Sequence, residues 1–279
     1  MITERWRAAH GAAVDCLARG AREVLVGGVS APVVAAFLQK AAALGELPLT
    51  GCSDDSGTAP GPAAAVGAVR LLGADALAPH VLAGQALVPE ESAAVRLALS
   101  ALPPAQRPPA APPHGPEAPW TRAWIDWGLV AVLTRLDSAA FRAPAPAAPP
   151  PCDGNAPRRH SAAGADAHHC GESGEGWIPW SLRMGQLASL ALPGLDSPVH
   201  DAARSHALAL ARGATRSLLR RDFPTAARIT RWLAWLAAGG ATLPLDVTLL
   251  TQDIALRGGG ERCLLDVAIS RRLLGLDSE

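Results

Sequence analysis

Two stretches of this chain decide how it is read: "LARGAREVLVGGVSAPVVAAFLQKAAALGELPL", Leu17–Leu49, and "LARGATRSLLRRDFPTAARITRWLAWLAAGGATLPL", Leu210–Leu245. Both open on LARGA. Both carry a polar residue two before a proline, Ser30 then Pro32 and Asp222 then Pro224. Proline is tolerated in the first turn of a helix, and Ser or Asp is a natural cap just before it. A second apolar-periodic segment follows in each and ends near a glycine, Gly45 or Gly239, suited to a left-handed C-terminal cap. Each copy then reaches LPL.

The parallel continues outward. After the first copy, the acidic stretch "TGCSDDSGTAPG" reads as a loop leading to a helix that ends VRLLGAD. After the second, "TLLTQDIALRGGGE" reads as the equivalent loop, before a helix ending SRRLLGLD. Two units, about 17–75 and 210–277, thus share a helix–turn–helix–loop–helix plan. Val33, Val34, Phe37, Leu38, Ala41 and Leu44 form the apolar face of the first hairpin, and Ile229, Trp232, Leu233 and Leu236 that of the second. Neither face can be buried by its own hairpin, and stacking hairpins buries both.

Composition supports an all-α chain. Of 279 residues, 49% are hydrophobic, mostly Ala, Leu and Val, with no Tyr, three Phe and eight Trp. Ala and Leu favour helix over strand. The expected fold is all-α, antiparallel helical hairpins in an α/α array or toroid-like ring. The expected division is an N-terminal helical unit at 1–102, a Pro-rich linker at 103–119, a Trp-bearing helix at 120–141, a low-complexity and disordered loop at 142–176, and a C-terminal helical unit at 177–279; the two units are compatible with a single domain. Trp120, Trp124 and Trp127 recur at i, i+4 and i+7, one face of a helix.

Formal net charge is zero, and the densest basic pairs, Arg158–Arg159, Arg220–Arg221 and Arg271–Arg272, are isolated. Nucleic-acid binding needs a clustered positive face, so none is expected. No uninterrupted apolar run reaches the roughly 20 residues of a membrane span. The first residues carry charges where a signal peptide would be apolar, so the chain reads as cytoplasmic. Five widely spaced cysteines give no disulfide framework.

The stretch "HHCGESGEGW", His168–Trp177, gathers donors. Cys152, His160, His168 and Cys170 are the metal-ligand candidates, with His169 beside them, but the seven-residue gaps match no zinc knuckle, and no metal or cofactor is expected. Cys170 with His168 or His169 is the nucleophile–base candidate. Asp54, Asp55 and Asp253 are the acidic candidates, set after equivalent helices of the two units. Trp124, Trp127, Trp177, Trp180, Trp232 and Trp235 are the ligand-binding candidates.

The turns "GESGEGWIPW", Gly171–Trp180, and "RLDSAAF", Arg135–Phe141, resemble the acidic-Gly-Trp turns of the α/α-toroid class, which includes terpene cyclases of the squalene–hopene type and protein prenyltransferases. The C-terminal third also resembles a bacterial family of helical hairpins. The resemblance implies a fold class and carries over no functional residue: the cyclases' Asp-x-Asp-Asp motif is absent, with "SDDSG" at Ser53–Gly57 only a fragment, and the prenyltransferases' zinc set cannot be traced. The resulting expectation is a helical-repeat binding or scaffold protein for a protein, peptide or small apolar ligand. The alternative is an enzyme of a bacterial specialised-metabolite pathway, terpene-cyclase-like or peptide-tailoring, with an apolar cavity lined by Trp and Asp.

Overall fold

A computed structural model describes residues 2–28, 31–45, 61–138 apart from 106, 108 and 113, then 150 and 176–276. The chain runs through α1 (Ile2–Gly27), α2 (Val33–Gly45), α3 (Pro62–Leu72), a 3-10 turn (Gly73–Leu77), α4 (Ala78–Ala83), α5 (Pro89–Ala101) and α6 (Glu117–Ser138). It continues through α7 (Trp177–Gln186), a second 3-10 turn (Ala188–Leu190), α8 (Pro198–Ser205), α9 (Ala207–Leu219), α10 (Phe223–Ala238), α11 (Val247–Arg257) and α12 (Glu261–Leu273). No strand occurs among the described residues. Apart from 150 and 176, the low-complexity segment, with Cys152, His160, His168, His169 and Cys170, lies outside them, as do Asp54 and Asp55.

The spine of the molecule is a row of helices. α1 packs on α3 and on α12; α12 packs in turn on α10, which also meets α7, α9 and α11. Small residues dominate the buried side of α1. Ala13, Leu17, Ala18 and Ala21 of α1 are each at most 1% exposed, and one-turn spacing places Ala13, Leu17 and Ala21 on one face. At its rim Arg19 and Arg22 both pair with Glu261, at 3.0 and 3.2 Å. One continuous core of buried apolar residues runs through both units.

In each LARGA stretch a helix follows the proline-bearing turn, but the two helices are started and packed differently. In the second, Asp222 caps α10: its Oδ1 accepts from the Thr225 amide at 3.2 Å, with Pro224 in the first turn. In the first, Ser30 lies outside the described residues, and a cap reaches α2 from another helix. The amides of Val34 and Ala35 donate to the two carboxylate oxygens of Glu91 on α5, both at 2.8 Å. Burial lifts the Glu91 carboxyl above its ordinary range, against the pull of the amides. α10 lies along α9, whereas α2 rests chiefly on α5 and α3 and leaves a groove against α1.

Because Glu91 is fully buried, Glu91→Ala strands several amides at once. Its expected cost is about 1–3 kcal/mol, the penalty for orphaned buried donors, read by urea denaturation. Glu91→Gln should recover part of it, since one side-chain oxygen still accepts.

Three boundaries differ from the sequence reading. Thr248–Glu261, read as a loop, is mostly helix: Asp246 Oδ1 accepts from the Leu249 amide at 3.0 Å and starts α11, while Val247, Leu250 and Ile254 are buried at helical spacing. The α10 end uses Gly240 rather than Gly239 as its left-handed residue, with φ +82°. There Ala241 N donates to Leu236 O at 3.0 Å and Gly240 N to Ala237 O at 2.9 Å, the paired bonds of a Schellman cap. The Trp-bearing helix begins at Glu117, because Pro119 is accommodated in its first turn.

By composition and length Pro62–Ala83 is apolar enough to cross a membrane, with mean hydropathy 1.3, and 78% of that window is buried inside the fold. It is α3, the 3-10 turn and α4, broken at Gly73. Gly73 has φ +63°, and a Cβ there would sit 2.5 Å from Ile125 Cγ2, so glycine is what lets α6 lie against the turn. The segment's charges are buried in ion pairs: Arg70 grips Asp126 of α6 through Nε at 2.9 Å and through Nη2, and Asp75 joins the cluster described next.

Candidate functional site

The interior holds a closed set of four charges. Arg231 of α10 pairs with Asp75 of the first 3-10 turn, and with Asp266 of α12 at 3.1 Å. Arg262, one turn before Asp266, reaches Asp75, and its Nε lies 3.4 Å from Asp266. Asp75, Arg231 and Asp266 are fully buried. Two cations against two anions leave no net charge to solvate. Burial would push the Asp75 carboxyl up; the two guanidinium groups outweigh it and hold it below the usual carboxylate range. Arg231 Nε also points at the Ala191 carbonyl, 3.4 Å away. The set fastens the N-terminal unit to the C-terminal one.

Beside it lies an aromatic cluster. His200 of α8 stacks edge-on against Trp232 and Trp235, with ring centroids 5.3 and 5.0 Å away, and Trp232 meets Trp235 at 5.8 Å. The Trp232 indole N–H donates to the Met184 carbonyl at 2.7 Å. His200 Nε2 sits 3.0 Å from the Leu190 carbonyl, which only accepts, so Nε2 carries the proton and Nδ1 accepts from the Ser197 hydroxyl at 2.8 Å. This spends both nitrogens, and the Ser–His contact positions α8 with no nitrogen left over as a base. Burial, partly offset by the Leu190 carbonyl, lowers the His200 pKa to about 4.

A histidine whose folded pKa falls below its unfolded value contributes stability fully present above about pH 6.5, lost as pH falls toward about 4. At ~1.4 kcal/mol per unit, the loss reaches about 3 kcal/mol. Thermal melts between pH 7 and 4 should show this slope, and His200→Gln should flatten it.

Three surface grooves take up the remaining candidates. The first, about 560 Å³, is lined by Trp235, Leu236, the Gly239–Ala241 turn and Arg204; the Arg204 guanidinium stands 5.0 Å from the Trp235 ring centroid. The second, about 550 Å³, runs between α1 and α2, where Cys16, Leu17, Phe37 and Lys40 line it. The third, about 710 Å³, is bounded by Trp177 of α7, by Arg212 and Arg216 of α9 with Arg220 at that helix's C-cap, and by Pro244 and Leu245.

The tryptophan candidates therefore divide. Trp235 and Trp177 line grooves, in different places. Trp124 and Trp232 are fully buried. Trp127 is half-buried and meets Trp124 at 5.4 Å, and Trp180 packs on His206 at 5.2 Å. Asp253 lies within α11, paired with Arg257 at 2.8 Å, and lines none of these grooves. Among the described residues no group of three or more His, Cys, Asp or Glu is placed to hold a metal ion.

The arginines of α9 escape a reading of charge as contiguous blocks. Their signal is the spacing: positions 212, 216 and 220 recur every four residues, one stripe of a helix.

No family model matches the chain, and no curated protein or solved structure matches it.

Proposed function

We propose that this protein is a helical binding or scaffold protein whose open grooves receive a protein or peptide partner. The observation that carries the reading is the division of charge between interior and surface. The described buried carboxylates are committed to guanidinium groups or helix amides: Asp75 and Asp266 to Arg231 and Arg262, Asp126 to Arg70, Glu91 to α2. Binding character lies outside instead, in grooves that mix apolar walls with arginines. Clefts of this size suit the side chains of a partner segment.

The enzyme alternative needs Trp and Asp converging on one cavity. The described residues support it less, because Trp124 and Trp232 belong to the core and Asp253 is paired on the surface.

Native mass spectrometry of the protein purified from the cells that make it tests the reading. A stoichiometric peptide or protein partner is the expected result. A single cofactor-sized molecule retained per chain, with no macromolecular partner, overturns the reading in favour of the enzyme.

A further inference from the structure

Resting on the binding reading above, we propose that the α7–α9 groove is the docking site for an acidic amphipathic helical segment of a partner protein, whose carboxylates meet Arg212, Arg216 and Arg220.

The charge on this face is unspent. Many of the described arginines, Arg70, Arg204, Arg231, Arg257 and Arg262 among them, sit against a carboxylate, while Arg122 and Arg228 stand singly among the described residues without one. None of the three on the α9 stripe meets a carboxylate among the described residues, although the chain as a whole is neutral. Among the described residues the acids on the flanking loops, Asp222 and Asp246, are occupied in capping α10 and α11. The amino end of α7 opens beside Trp177 with no side-chain cap, and its ten-residue dipole adds to the positive potential. Among the described residues the groove is thus a local positive field on a neutral molecule.

Spacing and lining select the occupant. Four residues of helix rise about 6 Å, so the three guanidinium groups form a ladder roughly 12 Å long. Glutamates repeated every fourth residue on a second helix present carboxylates at the same interval. Apart from Thr215, the rest of the wall is apolar, chiefly Trp177, Leu208, Leu219, Pro244 and Leu245. Leu219, at its edge, is 79% exposed, a side chain that gains by being covered. Nucleic acid calls for phosphate contacts over a broad basic face with few aliphatic walls. An acidic helix with leucines on the adjoining face satisfies both the ladder and the wall.

Fluorescence anisotropy with the full-length protein tests this. The probe is a fluorescein-labelled helical peptide of about 18 residues, with glutamates four apart and leucines beside them. It should bind, and binding should weaken as salt rises. Arg216→Glu and the exposed-rim variant Arg220→Glu should each weaken it by about tenfold or more, with unchanged circular dichroism. Trp177→Ala should cost less and leave the salt dependence in place.

Several results overturn the proposal: unchanged affinity in both arginine variants, equal binding of a probe with lysine in place of glutamate, or displacement of the probe by single-stranded oligonucleotide at lower concentration than unlabelled peptide. If these occur while native mass spectrometry still returns a protein partner, the binding reading stands and the partner docks elsewhere.

Discussion

Replacing Arg231 by leucine should lower the free energy of unfolding by about 3–5 kcal/mol, the cost of breaking a buried ion pair from one side. The substitution removes a cation that touches both Asp75 and Asp266, and both acids have no exposure to water. Arg262 remains, but its side chain is 17% exposed and cannot neutralise two carboxylates. A domain holds only about 5–15 kcal/mol in total, so the variant sits near the edge of folding.

The pH dependence identifies the cause. In the parent chain the Asp75 carboxyl is held below its ordinary value of 3.8, so its contribution is present above that pH and is lost as pH falls through the folded value. Without Arg231, burial weighs more heavily on Asp75 and its carboxyl takes up a proton more readily. The deficit should therefore be largest at neutral pH and shrink toward pH 5. Urea denaturation at both pH values reads it; a constant loss below about 1 kcal/mol would show that the cluster adds little.

Trp232→Ala should be comparably severe, at about 3–5 kcal/mol for a large aromatic removed from a packed core. Trp232 is fully buried. Three losses coincide: the ring's packing, the edge contacts with His200 and Trp235, and the bond to the Met184 carbonyl at the end of α7. Trp232→Phe keeps most of the bulk and strands the carbonyl, so its expected cost is smaller, about 1–3 kcal/mol. Removing the indole also lets water approach His200, whose pKa should rise from about 4 toward its ordinary value. Thermal unfolding gives the first number and an NMR titration of His200 the second.

What the sequence made legible was local. Helicity followed from Ala and Leu, and Asp222 and Pro224 marked the start of α10 because a cap acts within one turn. The cap of α2 was not legible: Glu91 lies 57 positions from Val34 and acts through the tertiary fold. Nor were the ion partners, since Arg231 and Asp75 belong to different units. The Trp120–Trp124–Trp127 spacing placed the three on one helix face, and the Trp124 ring lies 6.2 and 5.4 Å from those of Trp120 and Trp127, yet period alone does not state which ring is sealed inside. The LARGA match says nothing about packing: α2 rests chiefly on α5 and α3, whereas α10 lies along α9. The α9 arginines were legible in principle, since their four-residue interval is a property of sequence.

The pairing of α1 with α12 has a consequence for how the chain is made. Arg19 and Glu261 are 242 positions apart. At a synthesis rate of roughly 5–20 residues per second, the ribosome delivers α12 some 12–48 seconds after α1. During that interval α1 can settle on α3, but the contacts it makes with α12 have no partner. The closing contact carries a large loop entropy, which slows that step. A nascent chain in this state leaves the surface around Arg19 and Arg22 uncovered, so a risk of misassembly falls before α12 emerges.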